Sequence, residues 1–300
     1  MTGRSPIRRA PPARPVTRKP HTETPIRRTR TVRRASAGLS PIRAGALLAM
    51  LLAAAAIYGV ANASAFAFRN LRLEGATFTD PAAVDRALES IRGANLFGLQ
   101  TGALEAGLLE LPTVRGADVG VALPDGLLVR LDEREAVLVW RVGARRYLVD
   151  RDGQLFARVG DDPPPEVAGL PVVEDRRATS AGLSVGGKLE AVDLDAATRL
   201  ASLIPADVGS EAEGLSVAVG DMNGFVVRSR PDGWSAVFGF YTLSLRTPDL
   251  IPGQVRLLRS LLIGREPLVE RVILASETDG TYTVKPTPKP TSRPSATPSP

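Results

Sequence analysis

The chain has 300 residues, 44% of them hydrophobic, enough for about two ordinary domains with cores of normal size. Its charge of +6 is local: residues 1–43 hold twelve Arg or Lys against one acid, Glu23, a balance of +11 that leaves −5 for the rest. That distribution argues against a globular nucleic-acid-binding domain; zero cysteines exclude disulfides and thiolate chemistry; and the one histidine, His21, lies in the basic tail, away from any Ser-His-Asp triad or histidine metal site in the folded part.

Residues 1–43 contain seven prolines and almost no apolar periodicity, so a disordered basic tail is expected there. From Ala44 to Phe68 run 25 residues without a formal charge. As a helix they would reach roughly 37 Å against a hydrocarbon layer of about 30 Å, which predicts a transmembrane helix over 44–68. Ala61-Asn62-Ala63 and Ala63-Ser64-Ala65 resemble signal-peptidase sites, but so long a basic leader and so long an apolar run favour an uncleaved anchor. Arg and Lys stay on the cytoplasmic side, which places residues 1–43 inside and residues 70–300 outside: a single-pass, type II membrane protein in contact with the lipid bilayer.

A first outer module is expected over 66–135. Leu71 and Leu73 alternate about Arg72 as a short strand. Thr79-Asp80-Pro81 opens a helix with Val84, Ala87, Leu88 and Ile91 on one face, and Gly93 closes it. Thr101 is read as the cap of a second helix carrying Leu104, Leu108 and Leu111. Two alternating strands follow, with Ala117, Val119 and Val121 in one and Leu127, Val129 and Leu131 in the other, joined by Pro124-Asp125-Gly126. The order is β-α-α-β-β, a sheet with both helices on one face.

A second module is expected over 136–285. Short strands are read at Val137–Val139, Tyr147–Val149 and Leu155–Ala157, and Pro163-Pro164-Pro165 interrupts the pattern. A helix from Asp195 to Ile204 puts Ala197, Leu200 and Ile204 on one side. Then a meander follows through Leu215–Val219, Phe225–Arg228 and Trp234–Phe238, with turns at Asn223-Gly224 and Pro231-Asp232-Gly233. A helix from Pro252 to Ile263, a strand from Val272 to Ala275, the turn Asp279-Gly280 and a last strand with Tyr282 and Val284 complete a mostly antiparallel sheet with helices on one face. Residues 286–300, rich in Pro, Thr and Ser, read as a disordered tail.

These elements and several short motifs resemble a POTRA domain, and in particular the FtsQ/DivIB cell-division family. The carrying residues are Gly93-Ala94-Asn95-Leu96-Phe97, Leu111-Pro112-Thr113-Val114, Leu123-Pro124, Glu133-Arg134, Trp140, Leu148-Val149-Asp150 and Asp152-Gly153-Gln154-Leu155-Phe156. The resemblance covers about residues 40–156 and is looser beyond. It implies an α+β protein, with one transmembrane helix, a POTRA domain and an FtsQ-type β domain, that works as a non-enzymatic divisome scaffold at the septum, linking early and late components. It further implies FtsB-like and FtsL-like partners bound at Val272, Ile273 and Leu274 and at Tyr282, Thr283 and Val284, and a recruitment surface at Val119 and Val121. Three departures stand out: Ala136 replaces a frequent proline, Gly120 and Val121 stand where a basic residue is common, and Leu274 and Ala275 stand where an acid is usual.

No catalytic, cofactor-binding or metal site and no small-molecule substrate is expected. Asp150 with Asp152, and Asp161 with Asp162, lie beside Gly or Pro and read as turn chemistry; Gly186-Gly187-Lys188 lacks the rest of a phosphate loop. The alternative function is a POTRA-type membrane protein that escorts secreted or envelope polypeptides, and a third is an envelope hydrolase.

Overall fold

A computed structural model describes residues 40–160 and 162–286. The expected tails over 1–43 and 286–300 and the Asp161 half of one carboxylate pair fall almost wholly outside the described residues.

Helix α1 (Pro41–Ala61) is 21 residues with a mean hydropathy of 2.1, long and apolar enough to cross a membrane. It stops seven residues before the end of the uncharged run. Asn62 turns its side-chain amide back onto Tyr58 O at 2.8 Å, ending the helix, and Phe68 is already buried in the core of the next module.

That module forms a three-stranded sheet in the order β1-β3-β2. Strand β1 (Asn70–Glu74) runs parallel to β3 (Gly126–Glu133), and β3 is antiparallel to β2 (Val114–Ala122). The Asp80 carboxylate caps helix α2 (Pro81–Ala87) by accepting the Ala82 N–H at 3.0 Å, with Pro81 at the first turn. Helix α3 (Thr101–Leu108) begins at the residue expected to cap it; Gln100 is its boundary, and Thr101 is the first helical residue. Val84, Leu88 and Leu108 pack on Val119, Leu127, Val129 and Leu131, so both helices cover one sheet face.

The second module is a nine-stranded sheet in the order β12-β11-β10-β9-β8-β7-β4-β5-β6. Its strands are β4 (Leu138–Val142), β5 (Arg145–Val149), β6 (Leu155–Val159), β7 (Val172–Asp175), β8 (Gly214–Gly220), β9 (Gly224–Arg230), β10 (Ser235–Gly239), β11 (Val269–Leu274) and β12 (Gly280–Val284). Helices α5 (Ala191–Ala201) and α6 (Ile251–Leu262) bury one face around Trp140, Phe225, Trp234 and Phe238. The short helix α4 (Pro165–Ala168) and Phe78 of the first module cover the other face at the β4-β5-β6 end, with Phe78 edge-on to Phe156 at 5.8 Å.

The α+β class and the mostly antiparallel sheet expected from sequence are present, with three differences. The pairs β7/β4, β7/β8 and β10/β11 are parallel. Strand β7 was not expected at all, because Val172-Val173-Glu174-Asp175 is too short to show an alternation. Ile204 is exposed rather than on the packed side, since α5 ends at Ala201 and the chain turns at Pro205.

Two carboxylates tie the sheets together. Glu133, at the end of β3, accepts the N–H groups of Thr77, Phe78 and Thr79 at 2.8, 3.0 and 2.6 Å. Next to it, Arg134 donates to Asp150 Oδ2 at 2.6 Å and to Pro112 O at 3.1 Å. These bonds hold Phe78 against Phe156 across the module boundary. Replacing Glu133 by Ala leaves three backbone donors without their charged acceptor and should cost about 2–3 kcal/mol. At about 2–4 °C per kcal/mol for a chain of this size, the extramembrane part should melt about 4–12 °C lower by calorimetry; an unchanged midpoint contradicts the clamp.

Acid sensitivity follows from two further carboxylates. Burial alone would push the Asp175 carboxyl up, but Arg177, Ser180 Oγ at 2.6 Å and the Arg177 N–H hold it below the usual range; Trp140 Nε1 also donates to it at 3.1 Å. Burial likewise opposes ionisation of Glu266, and Ser210, the Glu211 N–H, Trp234 and Lys285 overcome it. Groups with depressed folded values contribute stability above their unfolded values near 4, and this is lost as pH falls toward the lower folded values. Denaturant midpoints should therefore be level down to about pH 5 and fall below about pH 4; a rise on acidification contradicts the assignment.

Candidate protein-docking site

An open sheet ends in two edges, and each leaves a row of backbone donors and acceptors. At β6 the edge is met by the chain itself: Leu155 N–H donates to Gly187 O at 2.9 Å, Gly186 N–H to Leu155 O at 2.8 Å, and Gln154 bridges Lys188. The glycines set aside as a phosphate loop are thus an edge cover. In the smaller sheet, the N–H of Val119 on edge strand β2 donates to the Glu105 carboxylate of α3 at 3.1 Å. Strand β12 differs from β6 and β2, for among the described residues nothing pairs with its outer side; β1, the other edge of the smaller sheet, is likewise unpaired.

The register of the last hairpin fixes which groups face out. Ala275 N–H donates to Asp279 O at 2.9 Å, and Leu274 pairs with Gly280, Ile273 with Thr281, Val272 with Tyr282 and Arg271 with Thr283. Hydrogen-bonded and non-bonded pairs alternate in an antiparallel ladder. The N–H groups of Thr281 and Thr283 therefore bond β11, and those of Tyr282 and Val284 face the open edge. At the far end, Lys285 N–H donates to Leu268 O at 2.8 Å, in phase with this pattern. Tyr282 and Val284 share a face with buried Val272 and Val269, yet are 42% and 57% exposed.

The residues singled out from sequence sort as follows. Tyr282, Thr283 and Val284 form the edge strand, and exposed Ile273 lies beside them on the opposite face from Tyr282. Val272 and Leu274 are core residues behind the strand. Val119 is buried in the smaller module, whereas Val121 on the same strand is exposed. Asp150 accepts the N–H groups of Asp152 and Gln154 at 2.9 and 2.8 Å, a turn-forming role.

Sequence reasoning missed the pair that supports this end of the sheet. Gln254 of α6 is fully buried; its amide donates to Phe238 O at 3.3 Å and Leu274 O at 3.1 Å, and its Oε1 accepts from Tyr241 OH at 2.7 Å. Arg246 donates to Phe238 O at 2.7 Å, to Leu274 O at 2.8 Å and to Ala275 O. They satisfy the carbonyls where parallel β10 and β11 end together, which no local pattern signals.

A helix long and apolar enough to cross a membrane, followed by a β-α-α-β-β module and a larger open-edged sheet, is the class defined by this fold. Residues 66–134 match the family model described as POTRA domain, FtsQ-type. Among similar proteins, the Chloroflexus aurantiacus "Cell division protein FtsQ" is 30% identical over 158 residues, covering 51% of this chain and 54% of that protein. Proteins of the same name from Corynebacterium glutamicum and Streptomyces venezuelae are 33% and 30% identical, over 28% and 38% of this chain and 38% and 42% of theirs. The chain spans about half the length, or less, of these relatives. Over these stretches the chain is similar to the FtsQ/DivIB family.

Proline distinguishes the two kinds of edge residue. Thr283→Pro removes a donor from the β11–β12 ladder and leaves Arg271 O unpaired, which should cost about 1–3 kcal/mol. Tyr282→Pro removes a donor that faces solvent, as proline does on natural edge strands, so its melting midpoint should drop by less than half as much. Equal destabilisation by the two contradicts the register.

Proposed function

We propose that this protein is a non-enzymatic cell-division scaffold, held in the cell membrane by α1 with its amino terminus in the cytoplasm, which recruits other division proteins at the septum. Its partners are membrane division proteins of the FtsB-like and FtsL-like kinds, one of which adds a strand to β12. The carrying observation is that, among the described residues, β12 receives no bond anywhere along its outer side, while the β6 edge is met at Leu155 by Gly186 and Gly187 and the β2 edge at Val119 by Glu105. An added strand would receive hydrogen bonds from Tyr282 and Val284 and lay alternate side chains against those two residues on one face and Thr281 and Thr283 on the other, so backbone bonds supply affinity and side chains selectivity. Val121, on the exposed part of β2, is a second recruitment contact. The similarity to proteins named cell division protein FtsQ and the apolar helix support this cellular setting.

Depletion of the protein should give filamentous cells, restored to normal division by the wild-type chain and not by Tyr282→Pro, although that variant folds and reaches the membrane. Normal septation on depletion removes the scaffold reading; full rescue by Tyr282→Pro removes strand addition.

A further inference from the structure

Two turns of the POTRA domain converge on the residues that follow α1. Phe68 N–H donates to Ala94 O at 2.9 Å, Gly93 N–H donates to Phe68 O at 3.0 Å, and Ala67 bridges Asn95, which fixes the 93–98 turn to this segment. Arg69 and Asn70 donate their N–H groups to Asp125 O at 2.9 and 3.1 Å, and the Asn70 amide donates to Asp125 Oδ2 at 2.9 Å, which fixes the β2–β3 turn beside it. The apolar side chains brought together here are not packed away. Phe66 and Phe97 meet edge-on at 4.9 Å, with Phe97 55% exposed, and Leu123 at the tip of the β2–β3 turn is 57% exposed.

We propose that this rim, formed by Phe66, Phe97 and Leu123, is a lipid-docking surface that rests in the interface of the bilayer crossed by α1. Four residues, Asn62 to Ala65, separate the helix from Phe66, and part of them is wound into a 3-10 turn. Even fully extended they reach only about 15–18 Å, so the rim stays within a short distance of the headgroup layer in every molecule. Aromatic and aliphatic side chains are stabilised at that depth, where they leave water without entering the hydrocarbon centre. Arg69 suits an anionic headgroup: its guanidinium is exposed and donates to Ser64 O at 3.4 Å rather than to a carboxylate. The nearby acids are engaged elsewhere, Asp125 with Asn70, and Asp85 and Glu89 with Arg92 at 3.0 and 3.1 Å. Docking at this rim fixes how the POTRA domain stands on the membrane. The inference rests on α1 crossing the bilayer but not on any partner of β12.

The chain has no cysteine, so Phe97→Cys, Leu123→Cys and Met222→Cys each give the full-length protein one thiol for a nitroxide label. Met222, 91% exposed on the β8–β9 turn of the larger sheet, is the aqueous control. In vesicles of phosphatidylcholine and phosphatidylglycerol, labels at 97 and 123 should be at least about threefold less accessible to a water-soluble nickel chelate than the label at 222, and more accessible to oxygen. Accessibility at 97 and 123 equal to that at 222 overturns lipid docking, including the case in which a protein partner covers the rim. Flotation of the protein with the vesicles after an alkaline wash reports the anchor separately; failure to float removes the membrane-spanning reading and this inference with it.

Discussion

A nine-stranded sheet that does not close must end twice, and this chain treats its two ends differently. At β6 the 186–188 segment meets the start of the strand, bonding Leu155 and bridging Gln154 within the molecule. At β12 the outward groups of Tyr282 and Val284 have no partner among the described residues, and are flanked by side chains that a soluble edge strand would normally replace with charge or proline. An exposed edge of this kind is costly in aggregation risk, and its retention beside a covered one is the physical basis for reading β12 as a docking strand.

The edge is useful only if it is presented rigidly, and two polar clusters do this. Gln254 and Arg246 tie together the carbonyl ends of β10 and β11, so the strand that backs β12 cannot fray from its parallel neighbour. Glu133 and Arg134 perform the equivalent task at the module boundary, one carboxylate gathering three N–H groups and one guanidinium reaching Asp150 and Pro112. The Glu133-Arg134 motif, noted first as part of a family resemblance, is thereby explained as a mechanical junction between POTRA domain and β domain.

Much of this architecture is legible in the sequence because its signals are local. Asp80-Pro81 caps a helix, Pro124-Asp125-Gly126 turns a hairpin, and the alternation about Val217 and Val227 marks strands, each within a few residues. What stayed hidden depends on distant partners. Strand β7 exists because β4 and β8 offer it parallel ladders on both sides, and the same four residues in isolation carry no strand pattern. The end of α1 is set by Asn62 and by the need to bury Phe68, so an uncharged run alone overstates the helix. For the candidate site, the position of the last strand suggested an edge, and Tyr282 and Val284 stood out as apolar. Which N–H groups face outward required the hairpin register, which gives the Thr283 N–H to the β11–β12 ladder and leaves those of Tyr282 and Val284 outward.

The central claim is that a partner strand bonds alternate residues of β12. Residue-resolved hydrogen exchange on the protein alone and with its membrane partners bound tests it most directly. The account predicts that Thr281 and Thr283 amides are protected in both states, while Tyr282 and Val284 exchange rapidly alone and become protected only in the complex. Protection that leaves Tyr282 and Val284 unchanged on complex formation would contradict it.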